Sequence, residues 1–211
     1  MIKHIVHYPL KAFKSLIKKV CDGMQFELPL IETERLILRE ISMEDAHAMY
    51  DYAKLPIVGP VAGWKPHTSL SETKTIIQMF RDKKKYGQLG VFAIIWKENK
   101  RMIGTLELHT YVKGFKAELG YTVHPAYWGK SIAVEAAKEA LKWGFHALSL
   151  RRIECTTFIT NERSRRVCEK LEMTYEGIRK NGYMLYDGTI HDLLCYALTD
   201  EEYHMIYEVA Q

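Results

Sequence analysis

The chain has 211 residues, 47% of them apolar, a formal charge of +4 and four cysteines. That length admits one well-filled core, and so small a positive excess is no nucleic-acid signature by itself, although it suits an anionic ligand. No apolar run reaches the roughly 20 residues of a membrane span, and Cys21, Cys155, Cys168 and Cys195 are too scattered for a disulfide frame or a zinc knuckle, so reduced thiols in a cytoplasmic protein are expected.

Residues 1–23 stand apart from the rest. Leu10, Phe13, Leu16, Ile17 and Val20 share one helical face, with Lys11, Lys14, Lys18 and Lys19 supplying charge. A short basic amphipathic helix of this kind lies on an anionic membrane surface, on its own domain or on a second subunit. It lacks the small-residue cleavage site of a secretory signal, and Pro9 interrupts any longer apolar run. His4 and His7 have ligand-like spacing but no further ligand, so no metal is expected there. The reading is therefore an extension over residues 1–23 followed by a single domain over residues 24–211, as a monomer or homodimer.

From residue 31 the pattern becomes that of a first strand, with Leu36 and Leu38 on one face and Ile37 between them. Ser42, with Asp45 three residues on, opens a helix continued by Ala46, Met49, Tyr50 and Ala53. Residues 56–67 are a loop rich in proline and glycine that carries Trp64. Ser71 caps the next helix, with Thr73, Ile76, Ile77 and Phe80 facing inward, and the basic run at 81–85 reads as its solvated end. Strands are expected at 91–96, 102–109 and 115–123, with turns at 97–100 and 112–114. The stretch 116–137, KAELGYTVHPAYWGKSIAVEAA, then joins the third of these to a long helix through a turn containing Gly129. Ile132, Val134, Ala136, Ala137, Ala140, Leu141, Gly144 and Phe145 mark that helix's apolar face. A strand at 152–158, a helix at 161–171 and strands at 175–186 and 191–199 joined by Asp187-Gly188 complete the sheet, and residues 200–202 begin a terminal helix.

A helix start exposes N–H groups without intrahelical partners at the positive end of its dipole, so the turn at 126–131 favours a phosphate; the alternative is an ordinary strand-to-helix turn with glycine for its backbone angles. Glu118 upstream, Tyr127 and Trp128 in the turn, and TNERSRRVCEKLEM at residues 160–173 give that turn its neighbourhood.

Taken together, these motifs resemble the GNAT superfamily of N-acetyltransferases, in the branch of the bacterial ribosomal-protein N-terminal (RimJ/RimL-like) enzymes. The family's turn pattern Q/R-x-x-G-x-G/A falls on residues 126–131, where Ala126 replaces the polar first residue and Ser131 the second glycine. The likeness spans roughly residues 32–200.

The resemblance implies an α+β fold of the three-layer α/β/α type: a mixed, mostly antiparallel sheet of about seven strands flanked by helices, splayed between the strand of Glu118 and the strand ending at Phe158. It implies acetyl-CoA as cosubstrate and no metal. Backbone groups of Tyr121, Thr122 and Val123 would pair with the pantetheine arm, and Trp128, Gly129, Lys130, Ser131, Ile132 and Ala133 would hold the pyrophosphate. Glu118 is the candidate base for an amine that must be neutral to attack, with a solvated or salt-bridged strand carboxylate as the alternative. Asn161 and Ser164 match the family's N-x-x-S and fall near the pantetheine and leaving sulfur; Asn161 is also a natural N-cap. Arg165 and Arg166 face CoA phosphates or merely Glu162 and Glu169. Tyr183 and Tyr186 are open candidates for the acceptor site, and Trp64 is either an acceptor-pocket residue or a core plug.

The expected activity is acetyl transfer to a primary amine, foremost a protein N-terminal α-amino group. A small amine such as a polyamine or amino sugar, or a catalytically silent CoA-binding module, is the alternative. No nucleic-acid partner is expected.

Overall fold

The computed structural model describes residues 27–209. The helix expected over residues 1–23, with His4, His7 and Cys21, lies outside the described residues. Among those described, eight strands form one sheet: β1 (Ile31–Glu32), β2 (Leu36–Glu40), β3 (Phe92–Trp96), β4 (Arg101–Val112), β5 (Lys116–Val123), β6 (Arg152–Phe158), β7 (Thr174–Met184) and β8 (Ile190–Thr199). Their spatial order is β1-β2-β3-β4-β5-β6-β8-β7. Every neighbouring pair is antiparallel except β5 with β6. The strand beyond the expected seven is β1, whose two residues are too few to show an alternation.

Helices α1 (Ala46–Ala53) and α2 (Leu70–Asp82) cover one face; α3 (Ile132–His146), α4 (Glu162–Lys170) and α5 (Asp200–His204) cover the other. Strand alternation sends the two sets of apolar side chains to two cores. Leu36, Leu38, Phe92, Ile94, Leu106, Leu108, Leu119 and Ile153 pack with the Ala136, Ala137, Ala140 and Leu141 stripe of α3, all 0–2% exposed. Each such large side chain contributes roughly 1.5–3 kcal/mol on burial. Ala93, Ile95 and Met102 pack instead with Met49, Tyr52 and Ala53 of α1 and Ile77 of α2.

That second core stops short of the sheet centre. On its face β4 and β5 present Thr105, Glu107, His109, Glu118, Gly120 and Thr122, a polar floor beneath α1 and α2.

Two local expectations change. The cap of α2 is Ser69, not Ser71: Ser69 is extended, its hydroxyl accepts the Glu72 N–H at 3.1 Å, and the Glu72 carboxylate returns to the Thr68 N–H at 2.6 Å. The basic run is not merely solvated. Lys83 pairs with Glu107, and Lys84 reaches Glu40 at 2.6 Å, because a tight turn at Lys83–Tyr86 bends the chain back over the sheet. β4 also runs beyond residue 109 through a register shift between His109 and Val112, where Thr110 adopts φ +51°. A β-branched residue with that backbone stores roughly 1–3 kcal/mol of strain.

Candidate active site

The site begins where a hydrogen-bonded ladder ends. β5 and β6 pair only at Lys116↔Arg152, Ala117↔Ile153 and Glu118↔Glu154, whereas β4 follows β5 as far as Val123 and β8 follows β6 as far as Phe158. Each strand is thus anchored on its outer side while the inner edges separate beyond Glu118. The result is a cleft of about 890 Å³ passing between the strands, reaching the start of α3 at one end and the polar floor under α1 and α2 at the other.

At the α3 end, Trp128 is extended, Gly129 has φ +77° and Ser131 has φ +58° before the helix begins at Ile132. A Cβ at Gly129 would meet nothing within 4 Å, so the backbone angle and not crowding is what requires glycine there. The unpaired N–H groups of the first helical turn open on the cleft, which Gly129, Ser131, Ile132, Ala133 and Val134 line. Arg163, Arg166 and Lys170 lie on one face of α4 beside this turn: the Arg163 guanidinium sits 3.9 Å over the Trp128 ring, and Lys170 donates to Ser131 Oγ at 3.2 Å. Lys130 is turned elsewhere, its ammonium over the Tyr127 ring and its carbonyl accepting from Arg35 at 3.1 Å. Arg35 also holds Glu135 in the first turn of α3 at 2.7 Å, so one side chain steadies both the turn and the helix it opens into.

In the middle of the cleft, Tyr121 of β5 reaches across the gap to Ser164 of α4, their hydroxyls 2.8 Å apart. Burial, with the nearby Cys155 and Cys168 thiols, pushes the Tyr121 phenol well above its ordinary value, so it remains a neutral donor. Thr122 lines the cleft, and the Val123 carbonyl is taken by the Trp128 indole at 2.7 Å. Asn161 uses its whole amide: the oxygen accepts the Ser164 N–H at 3.2 Å as N-cap of α4, and the nitrogen donates to the Val61 carbonyl at 3.0 Å. Thr157 Oγ1 is buried in the cleft wall with no hydrogen-bond partner among the described residues, an orphan that a ligand's polar group would satisfy. Cys155 also lines the cleft, but its contact with Cys168 and its burial push the thiol well up, which unsuits it as a nucleophile.

At the far end stands Glu118, its Oε1 accepting from Thr156 Oγ1 at 2.6 Å. Around it are Glu107, paired with Lys83, and His109. The loop at residues 56–67 roofs this chamber. Tyr183 of β7 donates to the Gly63 carbonyl at 2.8 Å, and Trp64 packs 5.2 Å from His67, whose imidazole burial holds below its usual value and whose Nδ1 lies 2.8 Å from Thr73 Oγ1. Trp64 is therefore both a wall of the cleft and a partner of the second core. Tyr186 is 51% exposed and outside the lining, and Arg165 meets Glu169 at 3.4 Å along its own helix.

The expected residues thus gather in one cleft, apart from Lys130, Arg165 and Tyr186. Arg163, Lys170, Thr157, Glu107 and His109 are additional. The i, i+3, i+7 spacing of Arg163, Arg166 and Lys170 was the one available sequence signal; nothing local announced the others.

The cleft's composition suits a long, phosphate-bearing ligand: cations and free N–H groups at one end, an unpaired strand edge and an orphan hydroxyl in the middle, a carboxylate at the other. Residues 35–174 match the family described as Acetyltransferase (GNAT) domain. An uncharacterized N-acetyltransferase of Bacillus licheniformis, p20, is 33% identical over 172 residues, covering 81% of this chain and 96% of that protein. The [ribosomal protein uS5]-alanine N-acetyltransferase of Escherichia coli is 27% identical over 192 residues, 86% of this chain and 97% of that one. Among solved structures, Mycobacterium smegmatis RimJ in complex with CoA-disulfide superposes with a TM-score of 0.67 at 26% identity, covering 79% of this chain and 83% of that chain.

Proposed function

The chain belongs to the GNAT family of N-acetyltransferases, and from that premise we propose that it transfers the acetyl group of acetyl-CoA directly to the α-amino group of a protein N-terminus in the cytoplasm. The observation that carries this reading is the parting of β5 and β6 just past Glu118, which opens a passage from a cationic helix start to a chamber with one carboxylate free of any ion pair among the described residues.

When bound, acetyl-CoA supplies an activated thioester. The N–H groups opening α3, with Arg163, Arg166 and Lys170, are suited to its phosphates, and the inner edge of β5 around Tyr121 and Thr122 to its pantetheine arm. Glu118 takes the proton that an acceptor ammonium must lose before it can attack. Thr156 holds the carboxylate in place for this. Tyr121 and Ser164 form a neutral hydroxyl pair beside the gap, suited to stabilising negative charge that develops during transfer. Transfer without a covalent enzyme intermediate is favoured by the protonated state of Cys155 and by the Ser164 hydroxyl meeting Tyr121 and, among the described residues, no imidazole.

The charge of the acceptor chamber supports a monoamine over a polyamine, since Lys83 neutralises Glu107 and, among the described residues, Glu118 alone is left to meet a cation. The uS5-alanine specificity of the Escherichia coli relative supports a protein N-terminus. A peptide panel with different N-terminal residues, run beside spermidine and amino sugars with release of free thiol as readout, tests the proposal. Peptide acetylation is the expected result; faster turnover of a polyamine or sugar than of any peptide overturns it.

A further inference from the structure

We propose that His109 is the second half of a proton relay whose first half is Glu118. This rests on the reading above, in which Glu118 deprotonates the acceptor amine. His109 of β4 and Glu118 of β5 are register partners, so their side chains rise from the same face of the sheet with Cβ atoms roughly 5 Å apart. Both line the acceptor end of the cleft.

Three local features set the imidazole. Its Nδ1 lies 2.9 Å from Thr110 Oγ1, and Thr110 brings that hydroxyl back to the ring only by adopting φ +51° inside the bulge of β4. The ring's other edge crosses Gly120: a Cβ at that position would stand 3.1 Å from Cδ2 and 3.3 Å from Nε2. Gly120 has no left-handed backbone to explain it, so the space it leaves is what the ring uses. The relay places the neutral ring's proton on Nδ1, facing Thr110 Oγ1, and the lone pair on Nε2 beside the cleft floor. A strained β-branched residue, a bulge and a glycine with ordinary angles thus share one consequence, which is the tilt of His109.

The proton inventory closes. The acceptor ammonium gives its proton to the Glu118 carboxylate, Glu118 passes it to Nε2 of His109, and the imidazolium releases it to water at the exposed strand end beyond Thr110. Glu118 is thereby returned to its basic form without solvent entering the gap between β5 and β6. Other charged groups around the imidazole are already paired: Glu107 on the same strand with Lys83, and Lys116 of β5 with Glu154 of β6 at 3.1 Å. His67 faces the chamber from the roof, held to Thr73.

The test is the pH profile of kcat/KM for an acceptor peptide with a free α-amino group in the wild-type protein, His109→Gln and His109→Ala, with calorimetric acetyl-CoA binding as the check on folding. Loss of roughly 10²-fold at neutral pH with a displaced acid limb is expected, acetyl-CoA affinity staying within about twofold. Thr110→Ser should keep the wild-type profile and Thr110→Ala should not. An unchanged profile in His109→Gln overturns the relay while leaving transfer intact; a wild-type protein that acetylates no amine overturns the transfer reading and the relay with it. Independently, ¹⁵N spectra of the imidazole should show the proton on Nδ1, and a proton on Nε2 in the neutral ring would sink the proposal.

Discussion

β5 and β6 are each two different strands in one. Over Lys116–Glu118 and Arg152–Glu154 they are ordinary parallel neighbours, with Ala117 and Ile153 at 0–1% exposure beneath them. A chain of charges runs across this half: Lys116 and Arg152 both donate to Glu154, and Arg152 continues to Glu176 of β7 at 2.7 Å. A few residues later the same strands share no ladder. Tyr121 meets Ser164 of α4 instead, and the Thr157 hydroxyl has no hydrogen-bond partner among the described residues. The closed half satisfies its polar groups internally and so contributes stability. In the open half, edges and hydroxyls are left unspent, and these are what a ligand can use.

If this division holds, substitutions on the two sides of residue 118 should separate activity from stability. The largest effect is expected at Glu118 itself: Glu118→Gln should lower kcat by roughly 10²–10⁴-fold while the protein still binds CoA in calorimetry and melts as the wild type does. Wild-type turnover in that variant would remove the carboxylate from the chemistry.

Next comes Ile153→Ala in the closed half. With Ile153 at 0% exposure it should lose about 2–5 kcal/mol in urea denaturation, with kcat/KM per folded molecule unchanged. A loss of activity larger than the loss of folded protein would break the comparison.

Glu154→Gln should cost about 1–2 kcal/mol near neutrality, since the network is partly exposed. Its pH dependence carries a sign. Burial works against the Glu154 charge, but the hydrogen bonds from Arg152 and Lys116 outweigh it and hold the carboxyl below its ordinary value. The stabilisation is therefore present above the unfolded carboxylate range and disappears as pH falls through the lowered folded value. Wild-type stability should fall across that acid window, and the Gln variant's curve should be flatter; parallel curves would show that Glu154 contributes nothing by its charge.

The smallest effect is expected at Thr157. Thr157→Val removes an unpartnered buried hydroxyl, so stability should stay within about 1 kcal/mol or rise, while acetyl-CoA affinity drops about fivefold, or roughly 1 kcal/mol. Unaltered affinity would mean that the orphan oxygen is no part of the ligand's path.

Much of this could be read in the linear chain, for identifiable reasons. Strand and helix periodicity located every long element, and the α3 stripe from Ile132 to Phe145 is buried as its spacing predicts except at Val134, which is half-buried and lines the cleft. The parting of the sheet followed from the family resemblance and not from any residue. Ser131 stands where the family pattern has glycine and still adopts φ +58°, and Glu172 just after α4 likewise adopts φ +55°, with Met173 N–H closing the α4 terminus on the Cys168 carbonyl at 3.1 Å. Each accepts about 1–2 kcal/mol of local strain to keep the turn. Ser69 rather than Ser71 caps α2 because the choice between nearby serines turns on one extended backbone conformation, which composition does not encode.

What the sequence by itself determined is the set of long elements and the order in which they follow one another, because these rest on periodicity and on turn residues. What tertiary structure decided is which groups were already taken. Asn161 turned out to be committed to Val61, a hundred residues away, Glu107 to Lys83 across the chamber floor, and His109 to the space that Gly120 leaves open. Hydrogen bonds and ion pairs saturate, so a residue's availability for chemistry depends on neighbours that only the folded chain brings within about 3 Å.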